Sequence, residues 1–305
     1  MNAPLALDIV VPTYNRAALL ERLLASLFSA TQPESLTWRV TVADNRSTDG
    51  TRSLVERYRD RFPSQVAYCY APEQGRSNAL NTGIAATTGD LVGCLDDDEE
   101  IQPHWLTVVE REFRDPTLDF IGGPYLPRFE IPPPPWIDNG YPAVIGKVSG
   151  PDQRTPFGPA FAGILMGGNA VLRRSVLLRV GGYRTDLGRS GSGRLMSGED
   201  RALYGALLST GARGYWIPDL IIDHFVPVER LQRRYHWRWA FDHAISMARF
   251  EGAEHGGFGA VPRWRYGVLV RRTLPALLHP DLTARMRAQM DVLDTLGYLR
   301  GVLGG

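Results

Sequence analysis

Along the first 125 residues, short apolar runs alternate with longer stretches whose apolar positions recur every three or four residues. "LDIVVP" is a continuous apolar run of strand length, and "RAALLERLLASLFSA" sets its leucines at helical spacing. "WRVTVAD" then predicts a strand, and "STDGTRSLVERYRDRF" a helix opening on a Ser/Thr/Asp cap cluster. "QVAYCYA" is a third strand, "RSNALNTGIAATTG" a helix closed by Gly89, and "DLVGCLD" a fourth strand. "QPHWLTVVEREFRD" follows as a helix starting around Pro103, and "LDFIGGPY" as a further strand. Strand–helix alternation at this spacing predicts an α/β fold with parallel pairing and right-handed crossovers. Ligands of such sheets gather at the carboxyl ends of the strands. Those ends carry the polar clusters "PTYNR", "ADNRSTDGT", "APEQGRSN" and "DDDEE".

Between Pro124 and Phe161 the pattern breaks. "RFEIPPPPWIDNG" cannot continue a helix or a central strand and reads as an extended connection or a loop over a site. Regular patterning returns with "GGNAVLRRSVLLRVGGY", a Gly/Ser-rich loop, a helix over "EDRALYGALLSTG" and the apolar segment "GYWIPDLIIDH". From Val228 onward the chain reads as helical, basic and aromatic. The expected division is a catalytic domain over residues 1–226 and a helical extension over 227–305.

Composition narrows the class. With 44% hydrophobic residues the 305-residue chain has material for a sizeable core, and 34 basic against 33 acidic residues argue against a general polyanion binder, nucleic acid included. Cys69 and Cys94 fit no metal finger or disulfide framework, so a reducing, cytoplasmic setting is expected. "MNAPLALDIVV" has no basic region and too short an apolar run for a signal peptide, and no apolar stretch is long enough to span a bilayer.

The candidate chemistry centres on "GCLDDDEE", five adjacent carboxylates that repel one another at neutral pH. A helix start accounts for Glu100 and Glu99 as capping acids, but poorly for three aspartates at the end of a buried strand. On an extended chain Asp96 and Asp98 project to the same side, where they can share a divalent cation completed by phosphate oxygens and water. Asp44, at the end of the second strand, can accept hydrogen bonds from a base or ribose. Arg76 opens a helix, a natural place for anion contacts. Glu199 and Asp200 open another helix after a glycine-rich loop, where plain capping is the simpler reading.

In order along the chain, "VVPTYNR", "ADNRSTDGT", "GRSNALNTGIAATTGD", "LDDDEEIQPHWL", "GGNAVLRRSVLLRVGGY" and "GEDRALYGALLSTG" resemble the motifs of family-2 glycosyltransferases. These are inverting, nucleotide-sugar-dependent enzymes with the GT-A fold, a Rossmann-like, mostly parallel sheet flanked by helices. The resemblance covers about Leu7 to His224, and the tail "VPVERLQRRYHWRWAFDHAISMAR" is similar to that of bacterial members making exopolysaccharides, the hormogonium polysaccharide type included. It implies that Pro12, Tyr14 and Arg16 line the nucleotide pocket with Asp96 and Asp97, that Asp44 reads the base, most often uracil, and that Arg76 and Asn81 lie near ribose or diphosphate. Gly167, Gly168 and Asn169 would border the donor sugar. Asp98, with Asp96, would hold Mn2+ or Mg2+, and His224 occupies a position where some GT-A enzymes supply another metal or diphosphate contact. Asp200 would be the general base, with Glu199 beside it.

Leu80 stands where many relatives carry an arginine before the asparagine, so Arg76 or the basic tail must take its role; Arg234 and Arg238, four apart, either close on the diphosphate or solvate a packed helix. "LQRRYHWRW" lacks the Gln-any-any-Arg-Trp spacing of processive synthases. The expected partners are a UDP-sugar donor and a saccharide, lipid-linked or small-molecule acceptor. "RWRYGVLVRRTLPALLH" reads as a basic-aromatic amphipathic helix: packing on the catalytic domain or forming a homodimer is its simpler use, a peripheral place at the inner face of the cell membrane the other. Two rival classes are a noncatalytic sugar- or nucleotide-binding protein of the same fold and a sugar nucleotidyltransferase. The retained acids speak against the first, and "VPTYNR" in place of a glycine-rich loop against the second.

Overall fold

The computed structural model describes residues 5–137, 142–189, 193–254 and 261–303, so part of the proline-rich segment (138–141) and of the Gly/Ser loop (190–192) lies outside it. Its elements are β1 (Leu5–Thr13), α1 (Ala17–Ser29), β2 (Leu36–Asp44), α2 (Thr51–Arg61), β3 (Val66–Tyr70), α3 (Arg76–Ala85) and β4 (Leu91–Leu95). There follow β5 (Glu99–Ile101), α4 (Trp105–Phe113), β6 (Phe120–Gly122), β7 (Tyr125–Phe129), β8 (Thr155–Pro156), β9 (Asn169–Arg173), α5 (Arg174–Arg179) and α6 (Glu199–Ser209). The chain continues through β10 (Gly214–Trp216), β11 (Ile222–Val226), α7 (Arg233–Glu254), α8 (Arg263–Leu278) and α9 (Leu282–Leu303). It divides into two compact units: Met1–Leu126, Val148–Thr185 and Glu199–Phe225 form the first, and Pro127–Lys147, Asp186–Gly198 and Val226–Gly305 the second.

The first unit is a layered α/β structure. Its main sheet has the order β3-β2-β1-β4-β9-β6-β10-β8, and a smaller sheet has the order β5-β11-β7. Alternation along β1 separates two cores: Leu7, Ile9 and Val11 join the apolar faces of α1, α2 and α4, while Val10 joins those of α3, α5 and α6. Helix α1 shows why the leucines fall where they do, since Leu20, Leu23, Leu24 and Leu27 all lie on its buried side.

Two expectations need correction. The alternation predicts parallel pairing, and β3, β2, β1 and β4 are parallel as expected, but β9 runs antiparallel to both β4 and β6. Among the described residues no α-helix lies between β7 and β9; the chain reaches β9 through an irregular excursion and enters at the carboxyl end of β4, with Asn169 opposite Leu95. Helix α3 ends at Ala85, not Gly89, because the amides of Thr88 and Gly89 turn away to donate to the buried carboxylate of Asp8.

The second unit is helical. Ala240 of α7 and Met290 of α9 share a core with Val144, and Ala244, Ala248 and Tyr298 form another. Among the described residues no helix is long and apolar enough to cross a membrane.

Candidate active site

The acidic cluster is a turn. Directly after β4 the amide of Glu99 donates to the carbonyl of Asp96 at 3.2 Å, so the chain folds back and the side chains fan outward. The extended geometry expected for Asp96 and Asp98 is therefore absent, and the two point to different partners. Oδ1 of Asp96 meets Nε of Arg76 at 2.7 Å, whereas Oδ2 of Asp98 meets Nη1 of Arg16 at 3.0 Å and its Oδ1 lies 3.6 Å from Nε2 of His224. Asp97 is buried between Thr13, whose hydroxyl donates at 2.8 Å, and Nη1 of Arg16 at 3.0 Å. Glu99 and Glu100 begin strand β5 and do not cap a helix: β5 pairs with β11, His224 opposite Glu99, and Glu100 is bound by Arg22. α4 starts only at Trp105, with His104 as its cap residue.

Arg76 is the hub. Besides Asp96, its Nη1 lies 3.4 Å from Glu199 Oε1 and 3.4 Å from Asp200 Oδ1, joining the start of α6 to the end of β4. The segment leading into β9 closes over this group. A Cβ on Gly167 would stand 2.2 Å from Asp200 Oδ1, and one on Gly168 would stand 2.2 Å from Glu99 Oε1 and 2.9 Å from Asp96 Oδ2. Only glycine lets the backbone come this close to three carboxylates.

Six carboxylates (Asp96, Asp97, Asp98, Glu99, Glu199, Asp200) thus face two guanidiniums, Arg16 and Arg76. Burial is the first cause of the high carboxyl pKa of Asp97, which Arg16 only partly offsets. Burial, then Asp96 and Asp98, hold the Glu99 carboxyl well above its ordinary range. Burial, then Asp200, raise that of Glu199; burial raises that of Asp200, with Arg76 pulling the other way. The arginines respond in kind: burial would lower them, but the facing carboxylates outweigh it and lock both charged. Oε1 of Glu99 and Oε2 of Glu199 are buried without a hydrogen-bond partner.

Sequence reasoning missed Tyr125. Its hydroxyl is buried without a hydrogen-bond partner, and burial, then Glu99, Asp200 and Asp96, hold it protonated well above the ordinary phenol range. The only signal was its place, one residue past "GGP" at the end of a strand. Glu99, expected to cap a helix, is instead the most deeply buried acid of the group, 1% exposed.

Other expected site residues have structural work. Asp44 spends Oδ1 on the amide of Ser47 and Oδ2 on the hydroxyl of Tyr68, both at 2.8 Å, holding the loop after β2. Asn81 clamps the backbone of Tyr183, donating to its carbonyl at 2.7 Å and accepting from its amide at 2.9 Å. Asn169 is fully buried, accepting from Trp105 Nε1 at 2.9 Å and donating to Leu220 O at 2.6 Å. Pro12 is buried in β1, and Tyr14 is exposed just beyond it. Arg234 and Arg238 are exposed on α7 of the second unit, where Arg238 donates to the carbonyl of Gly193 at 2.8 Å.

The donor set suits a divalent cation. The carboxylates outnumber their cationic partners, two carry partnerless buried oxygens, and an imidazole approaches one of the remainder, all oxygen and nitrogen ligands of the kind Mn2+ and Mg2+ accept. Among the described residues no three His, Cys, Asp or Glu side chains form a ready-made metal cage. A cation here would take one or two protein ligands and complete its shell from substrate and water.

The sequence profile described as "Glycosyl transferase family 2" matches residues 8–181. The chain belongs to this family. The match covers the acidic turn, Arg76 and Gly167–Gly168; Glu199 and Asp200 lie beyond it. This family member is 27% identical over 317 residues to the succinoglycan biosynthesis protein ExoM of Rhizobium meliloti (strain 1021), covering 99% of the present chain and 94% of that protein. Among solved structures, the mannosyltransferase PcManGT from Pyrobaculum calidifontis, in complex with GDP-Man and Mn2+, is similar with a TM-score of 0.62 at 21% identity, covering 97% of this chain and 87% of that one. TarS 1–349 of S. aureus in complex with UDP is similar with a TM-score of 0.53 at 15% identity, covering 96% and 90%. These likenesses establish the GT-A fold expected from the motifs.

Proposed function

We propose that the chain is an inverting, divalent-cation-dependent glycosyltransferase that moves a sugar from a UDP-sugar to a saccharide hydroxyl. The observation that carries this reading is the convergence of Asp96, Glu199 and Asp200 on the one buried guanidinium of Arg76. That convergence joins the end of a sheet strand, where phosphates bind in this class of fold, to an acid suited to take a proton. Kinship to a succinoglycan biosynthesis protein supports a saccharide acceptor, and the neighbours solved with UDP, or with GDP-Man and Mn2+, support a nucleotide-sugar donor and a metal. The first unit is the catalytic domain, and the helical extension after residue 226 shares the second unit with Pro127–Lys147 and Asp186–Gly198.

In this reading Asp200 is the general base. Burial moves its carboxyl upward, toward the operating pH, where a base is most effective, while Arg76 and the Gly167 backbone fix its direction. As the acceptor hydroxyl attacks the anomeric carbon from the face opposite the departing diphosphate, its proton passes to Asp200, and the single displacement inverts the anomeric configuration. Asp98 would hold the cation with His224 as a further ligand, Asp96 joining them only by leaving Arg76, and the bound cation would supply electrostatic stabilisation of charge on the leaving phosphate. Tyr14, Arg16 and the loop held by Asp44 shape the nucleotide pocket. Gly167 and Gly168 would border the donor sugar, with the side of their backbone that a Cβ would occupy packed against Asp200, Glu99 and Asp96.

The test is transfer from an α-linked UDP-sugar to a saccharide acceptor in Mn2+, with the product's anomeric proton coupling read by NMR. A β-linked product is expected; an α-linked one overturns the inverting mechanism. Binding of the nucleotide sugar with neither transfer nor hydrolysis would leave the noncatalytic reading standing.

A further inference from the structure

Helix α8 is packed inside out. Its buried positions, Arg265 and Ala276, share one side of the helix. On the opposite side stand Tyr266, Val270, Leu274, Leu277 and Leu278, exposed by 50%, 83%, 63%, 67% and 70%. The buried guanidinium faces α9: Arg265 pairs with Asp294 at 2.7 Å and lies 3.7 Å from the centre of the Tyr298 ring. Helix α9 thus satisfies the arginine side of α8 and leaves its leucines in water. Scattered exposed leucines are ordinary; a contiguous apolar face along four turns marks an interaction surface.

Charge selects the occupant. α8 carries four arginines and no acidic residue. Asp294 and Asp291 engage Arg265 and Arg272, while Arg263 and Arg271 are exposed beside the apolar positions. Two copies meeting through this face would bring like charges together. An anionic lipid surface answers both features, taking the leucines among its acyl chains and the arginines at its phosphates. Trp264, 59% exposed, and Tyr266 sit at the first turn, as aromatic rings at the headgroup level do. We propose that the outward face of α8 docks the protein on an anionic membrane surface. This goes beyond the transferase reading, whose chemistry does not require it.

The test is flotation of the full chain with phosphatidylcholine vesicles, with and without phosphatidylglycerol, at low and high salt. The wild type should float with the anionic vesicles and lose binding as salt rises. The double substitution Leu274→Glu/Leu277→Glu, at exposed positions that leave the fold intact, should lower the bound fraction by about tenfold or more, and Arg263→Glu/Arg271→Glu should abolish the preference for anionic lipid. UDP-sugar turnover with a soluble acceptor should be unchanged in both, so failure here is distinguishable from failure of the transferase reading. No flotation of the wild type overturns the proposal, as does equal flotation of the Leu→Glu variant. A wild-type dimer that the same variant dissociates, without vesicle binding, assigns the face to a second copy and overturns it too.

Discussion

Replacing Gly167 by alanine tests the position of the proposed base through a single methyl group. The new Cβ would stand 2.2 Å from Asp200 Oδ1 and 3.3 Å from Arg76 Nη2. Gly167 is not among the glycines with positive φ, so alanine meets no backbone strain and the clash falls on the carboxylate. To restore a normal carbon–oxygen separation the carboxylate must retreat by roughly 1 Å, and misplacing a reacting group by that much costs on the order of 10²-fold in rate. That corresponds to about 2.7 kcal/mol of transition-state stabilisation. Initial rates at saturating donor and acceptor should show kcat reduced by about 100-fold, with donor affinity by calorimetry within about threefold of wild type. A Gly167→Ala enzyme with kcat within about twofold of wild type would show that Asp200 is not poised where the reaction needs it.

Asp200→Asn should remove transfer while UDP-sugar still binds, as read by parallel rate and calorimetric measurements; normal turnover would unseat the base. Glu199 has a folded carboxyl pushed up to about 7, first by burial and then by Asp200, so the folded state loses stability as pH rises from the ordinary carboxylate range through that value. Glu199→Gln never ionises, and its melting temperature relative to wild type should be higher at about pH 8 than at about pH 4.5; a constant or reversed difference refutes the sign. Arg76→Ala leaves Asp96, Glu199 and Asp200 without their shared cation and should cost about 3–5 kcal/mol in denaturant unfolding at neutral pH. Mn2+ should raise the melting temperature at neutral pH and chelation should abolish transfer; an Asp98→Asn variant that responds to Mn2+ like wild type would remove the assigned ligand.

The fold was legible where local pattern and tertiary role agree. The continuous apolar run "LDIVVP" and the leucine spacing of α1 encode burial directly, so strands and helices of the first four βα units fall where the apolar pattern places them. The site was legible as a set of residues brought to one end of the sheet, because polar clusters at strand ends are geometric consequences of that fold. Its interior was not. Residues Glu99–Ile101 form a three-residue strand with no apolar period, held by Ile222–His224, which lie over 100 residues away. The fold-back after Leu95 likewise depends on β11 and on Arg16 and Arg76, none of them local to it. Asn81 and Asn169 carry the letters of a binding site yet tie backbone segments together, a distinction visible only once their partners are known. The orphan hydroxyl of Tyr125 follows from long-range packing alone.

The reversed direction of β9 has a consequence for how such a site can diversify. Hydrogen-bonded along its length to β4 on one side and β6 on the other, the strand begins where its ladders put it, whatever chain length is spent in reaching Asn169. The two glycines ahead of it are anchored from downstream. The exposed positions of the approach, Pro159, Ala160, Ala162 and Gly163, can therefore be exchanged without displacing the backbone that roofs the carboxylates. Exchanging them is a way to alter what the site accepts while leaving its acids in register.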